Sequence, residues 1–185
     1  MAIDRLHFTG DEEADRLLAA EPLALLVGFV LDQQVPLQRA FAAPLELQRR
    51  IGPLDAGRIA ALDPAELERA FRTKPALHRF PGTMAERTQA LCALIAREYG
   101  GDAARVWLEA ADGRDLERRL LGLPGIGEMK ARIIVAVLAK RFGVRPPGWE
   151  EVVPKHPTLG DVDSAETRER YQAAKRAYKA SLKAR

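Results

Sequence analysis

Between residues 123 and 131 the chain reads Leu-Pro-Gly-Ile-Gly-Glu-Met-Lys-Ala, and the pair Gly125 and Gly127 is its clearest chemical feature. Glycine admits positive φ and leaves no Cβ in the way of an approaching group. A helix that starts directly after such a turn offers amides with no partner and a partial positive charge. Together these features make an anion site, suited to a nucleic-acid phosphate and blind to base sequence. A helix running roughly from Gly113 to Gly122 leads into the turn, and another, reaching about Phe142, leads out. The plainer reading is a tight helix–helix turn, where glycine is also common. Leu123 before the turn, small Ala131 after it and the long amphipathic stretch behind favour the phosphate site.

Helices must position these residues. Ile126, Ile133, Ile134, Val137, Leu138 and Phe142 fall on one face at 3.6-residue periodicity. Leu91, Leu94, Ile95 and Tyr99 repeat the pattern over Met84 to Tyr99, and Gly100-Gly101 stops it. Asp63-Pro64 reads as an N-cap with proline in the first turn, and Pro22 and Pro36 open other helical stretches. Leu23 to Leu31 is apolar all round, which predicts a central, buried helix. No segment alternates polar and apolar residues over a strand's length. The expectation is an all-α fold of eight to ten helices. Val144 to Asp163, with four prolines, reads as a long irregular stretch of the kind that often carries function.

The 185 residues fit one domain, 1–185, and 47% hydrophobic content is enough for a core without staples. The single cysteine, Cys92, excludes an internal disulfide and a cysteine-ligated iron–sulfur cluster, and sits on an apolar helix face as an inert thiol. His7, His78 and His156 are too scattered for a compact zinc spacing, so no metal site is expected. No signal-peptide pattern opens the chain, and the longest apolar run is too short for a bilayer, so the expected location is cytoplasmic, away from membranes. The net charge of +3 is concentrated at one end. A basic helix at about 164–183 carries Arg168, Arg170, Lys175, Arg176, Lys179 and Lys183. It reads either as a phosphate-facing surface or as a solvated terminal helix.

Leu123 to Ala131 resembles the hairpin of the helix-hairpin-helix DNA glycosylase superfamily, which includes endonuclease III and the adenine, alkyladenine and oxoguanine glycosylases. Three further segments resemble that family in its own order: Leu31-Asp32-Gln33-Gln34 after the apolar helix, the helix Met84 to Gly101, and Val162-Asp163-Ser164. The likeness spans roughly residues 20 to 170 and is similar to that of short actinobacterial members. It implies two helical lobes flanking a cleft, a monomer, and double-stranded DNA carrying a damaged or mispaired base as partner. It implies no cofactor beyond a monovalent cation at the hairpin.

The implied chemistry is hydrolysis of an N-glycosidic bond on a base drawn out of the duplex. A carboxylate stabilises the charge that builds on the sugar and handles the attacking water. The family's catalytic acid matches Asp163; counting the usual spacing from Phe142-Gly143 reaches Glu150 or Glu151 instead, and Asp161 is a further alternative. The resemblance assigns DNA contact to Gln33, Gln34, Leu123, Gly125, Ile126, Gly127 and Lys130. Where members that also nick the strand carry a lysine, this chain has Met129; Lys130 lies one residue, about 100° of helix, further round. The implied enzyme is therefore monofunctional, with Met129 and Trp149 as base-pocket walls and Lys130 meeting phosphate or solvent. Trp149 reads equally as a loop anchor, Trp107 as core, and His78 and Arg79 as a loop able to touch DNA. The other classes open to this sequence are a DNA binder of the same hairpin type without catalysis, and a helical protein-interaction domain.

Overall fold

The computed structural model of the chain describes residues 3–184. It is all-helical, with no strand among the described residues. In order come α1 (Glu12–Ala20), α2 (Pro22–Leu31), α3 (Leu37–Ile51), α4 (Ala56–Ala61), α5 (Pro64–Arg72), α6 (Pro81–Tyr99), α7 (Arg105–Leu108), α8 (Gly113–Leu121), α9 (Glu128–Arg141), α10 (Trp149–Val152), a 3-10 turn (Leu159–Asp161) and α11 (Ala165–Lys183). Among the described residues eleven α-helices exceed the eight to ten expected, because α4, α7 and α10 are too short for periodicity to reveal. Helix α10 and the 3-10 turn interrupt the stretch 144–163, which is otherwise irregular as the sequence reads it. Helix α6 starts three residues before Met84, with Pro81 in its first turn. Among the described residues no helix is long and apolar enough to cross a membrane.

Side-chain caps fix where many of these helices begin. Asp11, Asp55, Asp63, Asp112 and Ser164 each accept an amide of the following first turn. Helices α1 to α6 pack among themselves, with α2 against α1, α3 and α6; α8, α9, α10 and the 3-10 turn form a second set, which α11 joins at that turn. One apolar core runs through both sets.

Two helices are enclosed. Every residue of α2 from Leu23 to Leu31 is buried, as its uniform apolarity requires. In α9 the run Ile134 to Ala139 is buried on all sides, which corrects the one-face expectation: α8, α10 and the 3-10 turn surround it. Ile126 belongs to the turn before α9, not to its helical face. The packing around α2 leaves no slack. A Cβ on Gly28 would lie 2.6 Å from Cδ1 of Phe41. That ring is itself held edge-on by Phe8 and Phe29, at centroid distances of 5.2 and 5.0 Å. Gly28→Ala is therefore expected to lower unfolding free energy by about 1–3 kcal/mol in urea titrations, and Phe41→Leu in the same chain should recover part of the loss. A neutral Gly28→Ala would show that α2 and α3 can part freely.

Candidate nucleic-acid interface

The turn between α8 and α9 is pinned by two apolar side chains and left open between them. Leu123 and Ile126 are buried, while Gly127 is exposed. The Ile126 amide donates to the Leu123 carbonyl at 3.2 Å, closing the turn. Gly125 has φ +80°, and a Cβ there would lie 3.3 Å from the Val30 side chain, so the turn abuts the last helical turn of α2. Gly127 is the N-cap of α9 and supplies no side-chain cap. Among the described residues the amides of Gly127, Glu128, Met129 and Lys130 donate to no protein acceptor; the first to do so is Ala131, to the Gly127 carbonyl at 2.8 Å. Glu128 is drawn into an ion pair with Arg132 at 2.6 Å. The carbonyls of Pro124, Gly125 and Ile126 likewise receive no backbone donor among the described residues. Free carbonyl oxygens are suitable donors for a hard monovalent cation, so the turn's donor set fits the ion that the resemblance implies.

The carboxyl end of α2 meets this turn, and its backbone is held from three sides. His78 is buried, and its Nε2 donates to the carbonyls of Leu31 and Gln33, each at 3.0 Å. Its Nδ1 accepts from the Phe80 amide at 3.0 Å. Burial pushes the imidazole below its ordinary value, against the pull of the Gln33 and Leu31 carbonyls. His78 is thus a neutral brace inside the protein, which corrects its reading as a loop residue able to touch DNA. The Gln33 side chain donates to the Val30 carbonyl at 3.1 Å and accepts from Arg87 at 2.8 Å. Its polar atoms are used internally; Gln34 is exposed, with φ +55°. A left-handed non-glycine residue at such a place is backbone strain of the kind that gathers at functional loops.

Asp32 lies between these braced carbonyls, half-buried. Burial pushes its carboxyl up, and the positive charges of Lys175, Lys130 and Lys179 oppose that. Lys130, also half-buried, is pushed down by its own burial, with Asp32 acting the other way and Arg87 and Lys175 adding to the fall. Sequence reasoning did not single out Asp32, although it stands inside the Leu-Asp-Gln-Gln segment. The lysines come partly from α11. That helix is tied down along its first half: Arg168 donates to the His7 carbonyl at 3.2 Å, and Gln172 donates to Gln38 of α3 at 2.7 Å. Tyr171 packs on the core, and the Lys175 ammonium lies 5.9 Å from its ring centroid.

The other site candidates lie elsewhere. Helix α9 is about 20 Å long at 1.5 Å per residue, and the hairpin sits at its start. Asp161 is bound at its far end, by Lys140 at 2.6 Å, beside an open concavity of about 380 Å³ lined by Lys140, Lys155 and His156. Asp163 is exposed, and Thr167, ahead of Ser164 and of Arg141 from the last turn of α9, holds its carboxyl below the usual range. Glu150 and Glu151 are exposed on α10, Glu151 facing Arg114 at 3.6 Å. Trp149 is packed against the start of α8, the end opposite the hairpin, where a Cβ on Gly113 would meet its Cα at 2.7 Å. Met129 is 55% exposed beside the open amides. Trp107 is core, and Cys92 is buried, its thiol pushed up to about 12 by that burial.

His78→Ala removes the donor to two carbonyls and is expected to cost about 1–3 kcal/mol of stability. Acidification below about pH 6.5 should weaken the wild type, because the unfolded chain takes up a proton that the folded ring disfavours. Urea titrations of His78→Gln across that range should lack this part of the decline; an unchanged pH profile would contradict the brace.

Compared with models of known protein families, with curated proteins and with solved structures, the chain matches none.

Proposed function

We propose that this chain is a monofunctional base-excision DNA glycosylase of the helix-hairpin-helix kind, acting as a cytoplasmic monomer on duplex DNA with a damaged or mispaired base. The observation that carries the reading is the uncapped start of α9: among the described residues, four consecutive amides without acceptors, from exposed Gly127 to Lys130. Such amides bind a phosphate oxygen without regard to sequence. A monovalent cation on the carbonyls of Pro124, Gly125 and Ile126 would add positive charge to the same grip. Lys175 and Lys179 of α11 extend the positive field on the side of Asp32. Gln34, exposed and backbone-strained, is suited to the gap that an extruded base leaves. The resemblance names Asp163 as the acid, with Glu150, Glu151 and Asp161 as alternatives.

Gly127→Asp separates the phosphate grip from the fold. Residue 127 has the extended φ and ψ of an N-cap, and a Cβ there meets nothing within 4 Å. Aspartate is a good N-cap and should raise stability by a few tenths of a kcal/mol, yet its charge occupies the phosphate's place. Duplex binding is expected to weaken about tenfold or more, roughly 1.4 kcal/mol, while Tm holds or rises. In the wild type, log affinity should fall steeply with log salt, and Lys175→Ala should reduce the slope by about one. Salt-independent binding, or full binding by Gly127→Asp, would favour a protein-interaction domain.

The activity itself is read on duplexes bearing uracil, hypoxanthine, alkylated purines, oxoguanine or mismatched adenine. Base release is expected on at least one, with strand cleavage only after alkali. Borohydride trapping of a protein–DNA adduct would contradict the monofunctional reading, and tight binding without any release would leave the non-catalytic binder.

A further inference from the structure

We propose that the carboxylate serving the sugar is Asp32, at the carboxyl end of α2, beside the turn that leads into α9. This rests on the glycosylase reading and names its acid. Position comes first. Asp32 is fixed on both sides by the His78 bonds to Leu31 and Gln33, and Gly125 packs on Val30 two residues before it. The end of α2 is thus the part of the fold that the phosphate-gripping turn touches, whereas Asp161 and Asp163 keep company with Lys140 and Arg141 at the other end of α9. Availability comes second. Among the described residues no donor bonds the Asp32 carboxylate, while Asp161 is taken by Lys140 and Thr158, and Asp163 by Thr167. Environment comes third. Asp32 is half-buried, under the positive field of Lys130, Lys175 and Lys179, with the Tyr171 hydroxyl pushed up to about 12 by burial and by Asp32. A carboxylate in a partly dry place, where nearby lysines oppose the rise that burial causes, is placed to stabilise a neighbouring cation.

In the reaction the bond from C1′ to the base nitrogen breaks, and its electron pair leaves with the base. The positive charge left on the sugar faces the Asp32 carboxylate. A water oxygen then bonds to C1′ and gives its proton to Asp32, which passes it to solvent; the departing base takes one proton from solvent. One water is consumed per base released.

The test is Asp32→Asn in the full chain, on whichever duplex the wild type processes. Base release is expected to fall at least about 100-fold, with affinity for the same duplex within about threefold. Tm at neutral pH should equal or exceed that of the wild type. The sign follows from burial: the folded state disfavours the ionised carboxyl, so the wild type gives up stability above the ordinary carboxylate range and regains it on acidification. Asp32→Glu should recover part of the release, which settles the matter if Asp32→Asn fails to fold. Undiminished release by Asp32→Asn, or release lost in Asp163→Asn but not in Asp32→Asn, overturns the assignment and leaves the glycosylase reading standing. No release by the wild type from any duplex overturns both.

Discussion

A helix buried on every side must still satisfy the carbonyls at its end, and that constraint organises this molecule. Helix α2 is buried along its flanks, and the carbonyls of Val30, Leu31 and Gln33 are met by the Gln33 side chain and by His78. Unmet, each would cost about 1–3 kcal/mol. Meeting them ties α2 to the loop before α6 through His78, and to α6 through the Arg87 bond to Gln33. The same bonds leave one polar group out. Among the described residues the Asp32 carboxylate has no donor of its own, though its neighbours are satisfied.

Around that end of α2 the charges come from three directions: Lys130 from the start of α9, Arg87 from α6, and Lys175 and Lys179 from α11. Helix α11 has no buried residue, yet Arg168, Tyr171 and Gln172 hold its first half against the body. The basic surplus at the carboxyl end is therefore partly docked rather than only solvated. Docking costs little here, since long basic side chains lay their apolar stems on the surface and keep their charge in water. The result is a positive field beside a turn with open amides, the surroundings that the proposed DNA partner would require.

Much of the fold was legible where local rules act alone. Uniform apolarity marked Leu23 to Leu31 as buried, Asp63-Pro64 marked a helix start, and Gly100 stops α6 in the left-handed conformation. The four-residue helices were illegible, because a single turn has no period. The hairpin residues 123–127 fell at the expected junction of two helices. The surroundings of Asp32 did not show in the sequence. Val-Asp-Ser drew attention to Asp163 by local likeness, and the structure places it one residue before Ser164, the N-cap of α11. What distinguishes Asp32 is non-local: it depends on α9 and α11 arriving beside α2, which no spacing along the chain reveals. The bracing role of His78 was hidden for a similar reason, as its partners lie 45 and 47 residues away.

The central claim is that open backbone amides at the start of α9 hold a DNA phosphate. It is tested most directly by following backbone amide resonances of the isotope-labelled protein while a short duplex is added. The account predicts that Gly125, Gly127, Glu128, Met129 and Lys130 shift first and furthest, and that added salt reverses the shifts. Shifts confined to α11, with those five amides unmoved at saturation, would contradict it.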